Sequence, residues 1–255
     1  NTFFPVPALI QFASDDVAYL VDPLATPCTA SFKALLQNSA VKLLHACSED
    51  LEVFQHWAGV LPTPLVDTQV AQAFLGENPG MGYQKLVEHW MGETLPKEET
   101  RSNWLERPLT PSQCEYAALD VIYLLKVWQR QAEQLDALGR RDWLESECAS
   151  LIEQGVKPPL VKKEGDALLA LVKQAQLCPE SDLPARWPDP MQPAFKRRFK
   201  AIKGVVTEQA SALNIAPEML LRRRDIEALV MQRLAEQPLT ELGGWRGHCL
   251  TQAIH

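Results

Sequence analysis

Hydrophobic periodicity changes character once along this chain, near Arg141, and no other feature limits its fold as tightly. Before that point short apolar runs alternate with helical patterns. Residues 8–14 (ALIQFAS) and 17–22 (VAYLVD) are rich in Leu, Ile, Val and aromatic side chains and are parted by Asp15-Asp16. They predict a β-hairpin that Pro23 ends. Residues 41–46 (VKLLHA) form a third apolar run, too short for a helix and so a buried strand. Helices are expected over 31–37, from an N-cap at Ser48 to Trp57 with Leu51, Phe54 and Trp57 on one face, over 67–75 with Asp67 as cap, and over 84–91. Gly76 and Gly92 stand just past the last two, where a left-handed residue ends a helix. Residues 93–109 are polar and aperiodic, hence a loop. Thr110-Pro111-Ser112-Gln113 pairs a capping box with Pro at the first helical position and starts a helix that should run to about Leu138. Strands first and helices later predict an α/β or α+β core over residues 1–140.

Beyond Arg141 no strand pattern remains. Phe195, Phe199, Ile202, Val206, Ala210 and Leu213 recur every three or four residues, the mark of an amphipathic helix. Ala216-Pro217-Glu218 starts another, residues 225–235 supply a third, and Gly243-Gly244-Trp245 opens a short last one. An all-helical module is therefore expected over 176–255. Pro158, Pro159, Pro179, Pro184, Pro188, Pro190 and Pro193 crowd the approach to it, so 141–175 reads as a linker.

The charge divides the same way. Net charge is −7, but residues 1–156 carry 10 Lys+Arg against 21 Asp+Glu, whereas residues 157–255 carry 15 against 11. Two modules with different partners are implied. The acidic total argues against a protein that coats nucleic acid at large, while leaving room for a local basic patch. No two of the six cysteines lie closer than 19 positions, so no zinc-finger spacing exists, and free thiols in a reducing cytoplasm are expected. The five histidines form no HExxH or HxH pair, and no run approaches the ~18 apolar residues of a membrane span. The N-terminus has neither an initiator Met nor a signal-peptide form.

Two segments can carry chemistry. In Gln113-Cys114-Glu115-Tyr116-Ala117-Ala118-Leu119-Asp120, Tyr116 and Asp120 are four apart and share a helix face, which sets a phenol beside a carboxylate. In His45-Ala46-Cys47-Ser48-Glu49-Asp50-Leu51 a buried strand passes into a helix, placing Asp50 in the first turn near a strand's carboxyl end. Two converging carboxylates offer the oxygen ligands that hard divalent cations prefer. Taken singly, each has an ordinary explanation. An Asp in a first turn commonly serves the helix dipole, and a Tyr–Asp pair at this spacing is commonly surface. His45, at a strand end, reads as a packed or hydrogen-bonded residue.

The combination resembles a family. HAxxxDL followed by YxxxD on a capped helix is similar to the second and third motifs of the DEDD 3′→5′ exonucleases, Tyr-containing subgroup. LLHACSEDLEVF, PLVDTQVAQAFLG and RSNWLERPLTPSQCEYAALDVIYL narrow the resemblance to the ribonuclease D family, nearly continuously over residues 8–138. Residues 195–245 are similar to that family's second HRDC (helicase and ribonuclease D C-terminal) helical domain. The resemblance implies an α/β exonuclease domain, a ribonuclease-H-like mixed sheet with flanking helices, plus an all-α HRDC-type helical domain. It implies phosphodiester hydrolysis assisted by two divalent ions, Mg2+ or Mn2+. Asp50 and Asp120 would be metal ligands, and Tyr116 would orient the attacking water or the scissile phosphate. The family's first motif, an Asp-x-Glu strand bearing the other two carboxylates, is expected a few residues before Asn1.

Further expectations follow from the resemblance. The family carries a whole first HRDC domain where this chain keeps only what looks like its final helix, around 165–175. A chain break is therefore expected between about Glu153 and Pro159. Lys97, Arg101 and Trp104 lie in the loop that borders the family's cleft, the cations suited to phosphates and the indole to a base; a solvated loop with one structural Trp is the plainer alternative. Lys196, Arg197 and Arg198, with Lys200 and Lys203, line the outer side of the Phe195 helix and could grip an RNA backbone. The implied activity is release of nucleoside 5′-monophosphates from the 3′ ends of tRNA precursors and other small structured RNAs by a cytoplasmic monomer. The alternatives are a DNA exonuclease with the same motifs and a degenerate module that only binds nucleic acid.

Overall fold

The computed structural model describes residues 6–96, 99, 101–156, 160–179 and 192–254, which fall into two units, residues 1–156 and 157–255. The boundary between units coincides with the change in charge sign.

The first unit opens on β1 (Ile10–Ser14) and β2 (Val17–Val21), the expected antiparallel hairpin. Asp15 takes the left-handed turn at φ 53°, a conformation Asp tolerates better than most side chains. Phe12 and Tyr19 face each other across the pair and stack at 4.9 Å. Next come α1 (Ala30–Gln37), β3 (Lys42–Leu44), α2 (Ser48–Trp57), β4 (Leu65–Asp67) and α3 (Thr68–Phe74). β3 and β4 pair in parallel, with Leu44 opposite Asp67. Where one mixed sheet is expected, the described residues hold two small sheets of two strands each, one antiparallel and one parallel. β4 has three residues and immediately precedes the helix expected over 67–75, sharing only Asp67 with it. Ser48 was expected to cap α2. Instead it is the first helical residue, and Cys47 holds the cap position without a side-chain cap bond.

α4 (Tyr83–Met91), α5 (Pro111–Ile122), α6 (Leu124–Ala137) and α7 (Arg141–Val156) complete the unit. α5 and α6 were expected as one helix. They part at Tyr123 because the Tyr83 hydroxyl donates to the Leu119 carbonyl at 3.1 Å, the acceptor that the Tyr123 N–H would use in an unbroken helix; that N–H turns to Val121 instead. α7 was read as linker, yet it packs on α2, α3 and β4 with Leu144 and Cys148 buried. The core lies between these helices and the strands. One cluster joins Cys47, Leu51, Leu61 and Leu65; another joins Leu86, Val87, Leu95 and Val127.

A buried amide network ties three helices together. Gln131 of α6 donates to the Thr68 carbonyl at 3.0 Å and to Gln72 Oε1 at 2.8 Å, and Trp90 of α4 donates to the same Gln72 oxygen at 2.7 Å. Gln131→Ala takes one donor from the Thr68 carbonyl and one from Gln72 Oε1 and opens a cavity, and should cost about 2 kcal/mol in urea denaturation.

The second unit holds α8 (Leu160–Leu177), α9 (Pro193–Ala212), α10 (Pro217–Leu220), α11 (Arg223–Leu234) and α12 (Gly244–Ile254). Phe195, Ile202, Val206 and Ala210 of α9 are buried, as its period requires, and α10, α11 and α12 pack on it. On α8, Leu169, Leu171, Val172 and Leu177 are exposed. Residues 157–159, on which the expected chain break partly falls, and most of the proline-rich approach lie outside the described residues. No described helix is long and apolar enough to cross a membrane.

Candidate active site

Both parallel strands end at one level, and the carboxyl ends of such strands are where open α/β sheets build sites. β3 runs out at Leu44 into His45. The His45 ring is fixed at both nitrogens, Nδ1 against Thr68 Oγ1 and Nε2 against the Met81 carbonyl, each at 3.0 Å. Partial burial holds its pKa below the ordinary value. His45 is therefore the packed, hydrogen-bonded residue the sequence suggested. Ala46 follows in the left-handed region at φ 55°, and α2 then begins, setting Asp50 in its first turn. Asp50 reaches solvent on one side and is crowded by protein on the others. That desolvation, with the negative charges of Asp67 and Glu49, raises its carboxyl pKa to about 6.

α5 supplies the second half. Its capping box is complete: Thr110 Oγ1 accepts from the Gln113 N–H at 3.1 Å, and Gln113 Oε1 accepts from the Thr110 N–H at 2.9 Å. α5 lies on the β1–β2 hairpin with Ala117 fully buried, which leaves Tyr116 and Asp120 half-buried on its flank. Burial raises the Asp120 pKa to about 6. Tyr83 of α4 bridges the two halves. Its ring meets the His45 ring edge-on at 5.7 Å, and its hydroxyl reaches the Leu119 carbonyl beside Asp120. Nothing local in the sequence singled Tyr83 out.

The loop before α5 is stapled rather than free. Trp104 leans on Tyr116 at 5.9 Å between ring centroids and donates its indole N–H to the Glu99 carbonyl at 3.2 Å. Gln113 Nε2 donates to Ser102 Oγ. Arg107 forks onto Asp22 with two 2.7 Å bonds and reaches the Ala8 carbonyl, and this guanidinium holds the Asp22 pKa down at about 2. A cavity of about 130 Å3 lies between loop and helix, lined by Pro96, Glu99, Ser112, Glu115 and Tyr116. Of the expected substrate contacts, Arg101 is exposed, Trp104 is half-buried against Tyr116, and Lys97 lies outside the described residues. Lys196, Arg197 and Arg198 are exposed on α9, in the second unit.

Among the described residues no three His, Cys, Asp or Glu side chains stand close enough to hold an ion together. Asp50 and Asp120 are the carboxylates that could serve as cation ligands. Each is a carboxylate whose ionised form is disfavoured where it stands, and the charges acting on Asp50 are negative. A divalent cation would relieve both, and Mg2+ is commonly held by one or two protein carboxylates together with substrate phosphates.

Residues 1–136 match the family model described as 3′→5′ exonuclease, and residues 193–254 match that of the ribonuclease D C-terminal HRDC domain. Ribonuclease D of Pseudomonas paraeruginosa is 30% identical to this chain, covering all of the chain and 88% of the relative. That of Escherichia coli is 31% identical, covering all of the chain and 89% of the relative. The first alignment runs over 331 positions although the chain has 255 residues, so the relative carries residues without counterpart here. The crystal structure of Escherichia coli RNase D, described as an exoribonuclease involved in structured RNA processing, superposes with a TM-score of 0.81 at 30% identity, over 97% of this chain and 87% of that one. The exonuclease family depends on divalent metal ions. The chain belongs to the ribonuclease D family of 3′→5′ exoribonucleases.

Proposed function

We propose that this chain removes nucleotides singly from RNA 3′ ends, with tRNA precursors and other small structured RNAs as substrates, by hydrolysis at a two-metal centre. One observation carries the reading. Asp50 and Asp120, the carboxylates that match the family's second and third motifs, are also the two that their surroundings raise to about 6. Two bound ions, Mg2+ or Mn2+, would supply Lewis-acid stabilisation of the charge that develops on the phosphate and on the departing 3′ oxygen.

The protein's own residues do the rest. Asp50 would hold mainly one ion and Asp120 the other. The Tyr116 hydroxyl, one turn before Asp120, orients the attacking water or the scissile phosphate and does not compete for metal. Trp104 steadies the Tyr116 ring. Water oxygen joins phosphorus as the P–O3′ bond breaks, the departing 3′ oxygen takes up a proton, and a 5′-monophosphate leaves. Arg101 faces solvent at the loop and suits a substrate phosphate. Free cysteines, Cys47 and Cys148 buried among them, fit a reducing compartment such as the cytoplasm. The residues that relatives carry within the alignment fit a first HRDC domain that this chain lacks.

The decisive experiment sets matched RNA and DNA oligonucleotides, each labelled at the 5′ end, against the protein with Mg2+ or Mn2+. Stepwise shortening of RNA with release of 5′-monophosphates is expected. Equal degradation of DNA would overturn the RNA assignment, and binding without shortening would favour a module that only binds.

A further inference from the structure

We propose that Asp67 is a positioning residue for this site: its carboxylate clamps the turn from which the helix bearing Asp50 is launched. The proposal rests on the reading of Asp50 as a metal ligand.

Asp67 is 2% exposed and ends β4. As the N-cap of α3 it accepts from the Gln69 N–H at 2.8 Å and the Val70 N–H at 3.4 Å, both on Oδ1. A cap needs no more than this. Yet the same carboxylate also crosses to the neighbouring strand's exit. Oδ1 accepts from the Ala46 N–H at 3.1 Å, and Oδ2 accepts from the Cys47 N–H at 2.8 Å. One buried carboxylate therefore takes four backbone donors, two from each of two segments 23 residues apart in sequence.

The two extra donors belong to a turn that requires support. Ala46 sits at φ 55°, which costs a residue with a β-carbon on the order of 1 kcal/mol and persists only when surrounding contacts impose it. Asp67 provides that contact at both peptide N–H groups on the C-terminal side of His45. The Cys47 carbonyl then accepts the first-turn bond of α2, from the Leu51 N–H at 2.9 Å, so the direction of α2 is set by the clamped residue. Asp50 is the third residue of that helix. A metal ligand must be held to within about 0.5 Å, and its supporting hydrogen bonds matter accordingly. Thr68, next to the clamp, ties the other side of the turn by donating to the Leu44 carbonyl at 3.0 Å.

Asp67→Ser separates the two roles. A Ser hydroxyl still caps α3 but is too short to reach Ala46 and Cys47. Asp67→Asn is a milder second variant: Oδ1 keeps its three donors while an NH2 group faces the Cys47 N–H. Mn2+ affinity is measured on the full chain by titration calorimetry and paramagnetic resonance, beside melting temperature and the kcat and KM for a short RNA. Asp67→Ser should weaken Mn2+ binding about 10–100-fold and lower kcat with little change in KM, with Asp67→Asn intermediate. Val87→Ala, a core truncation in the cluster of Leu86, Leu95 and Val127, controls for lost stability and should keep Mn2+ affinity within about twofold. If both Asp67 variants bind Mn2+ like the parent while Asp50→Asn does not, Asp67 is only the cap of α3 and this proposal falls alone. If Asp50→Asn itself binds Mn2+ like the parent, the ligand reading falls and takes this proposal with it. Should Asp67→Ser fail to fold, Asp67→Asn decides.

Discussion

Replacing Asp120 by Asn is expected to cut metal-dependent release of mononucleotides by on the order of a thousandfold or more, and to stabilise the metal-free protein at neutral pH. The two effects have one origin. Burial raises the folded-state pKa of Asp120 to about 6, from an ordinary value of 3.8. A carboxyl with a raised folded pKa favours folding while protonated, and that contribution is lost as pH rises through about 6. An Asn has no charge to desolvate. The gain from Asp120→Asn should therefore be absent below about pH 4, grow between pH 4 and 6, and level off above that at about 2 kcal/mol, below the roughly 3 of the full shift because Asp120 keeps part of its contact with solvent. Thermal melts in chelator at pH 4 and pH 7.5 measure it. Mn2+ should stabilise the parent more than the variant, which keeps Asp50 but has lost the second carboxylate. Asp50→Asn should abolish activity equally, with a smaller stability gain because Asp50 is more open to solvent. Activity retained by either variant would remove that residue from the site, and a variant less stable than the parent at pH 7.5 would show Asp120 to be structural.

Elements with local causes were legible in the sequence. The Asp15-Asp16 hairpin, the Thr110–Gln113 capping box and the buried stripe of α9 rest on residues a few positions apart, and each forms as expected. What sequence reasoning missed depends on partners far along the chain. The α5–α6 helix breaks because Tyr83, 36 residues away, takes the Leu119 carbonyl. Ser48 is not the cap of α2 because the preceding turn is served by Asp67 from another strand. β4 escaped notice because three residues show no period. α7 resembled a linker because its apolar face is broken by acids, and only the packing of Leu144 and Cys148 assigns it to the first unit. Tyr116 and Asp120 stand on one flank of α5, as their spacing of four requires, and Asp50 stands in the first turn of α2, as the strand-to-helix passage requires; their roles come from the family resemblance and remain part of the proposal. Trp104 is read from sequence as either a platform for a base or a structural Trp; its indole N–H is held by the Glu99 carbonyl and its ring leans on Tyr116.

Removing the charges of Lys196, Arg197 and Arg198 together should weaken binding of a tRNA-sized RNA and flatten its salt dependence, while turnover of a short oligonucleotide stays close to that of the parent. All three are exposed on α9, whose buried face is Phe195, Ile202, Val206 and Ala210, so substitution to Ala leaves the packing intact. Each phosphate neutralised contributes about 0.7–0.9 to the slope of log affinity against log salt, so losing three contacts should lower that slope by about 2–3. The neighbouring arginines are poorer candidates. Arg223 is bound to Glu227 at 2.8 Å and lies over the Phe199 ring, and Arg224 is within 3.5 Å of Asp225. A substrate phosphate would have to displace those partners, and the net gain per contact falls. Filter binding of the triple variant across 50–200 mM salt, beside exonuclease rates on a short RNA, separates gripping from chemistry. A parallel loss on both substrates would mean that the substitutions damaged the enzyme as a whole. An unchanged slope would mean that these three cations face only solvent and that RNA is held by other residues.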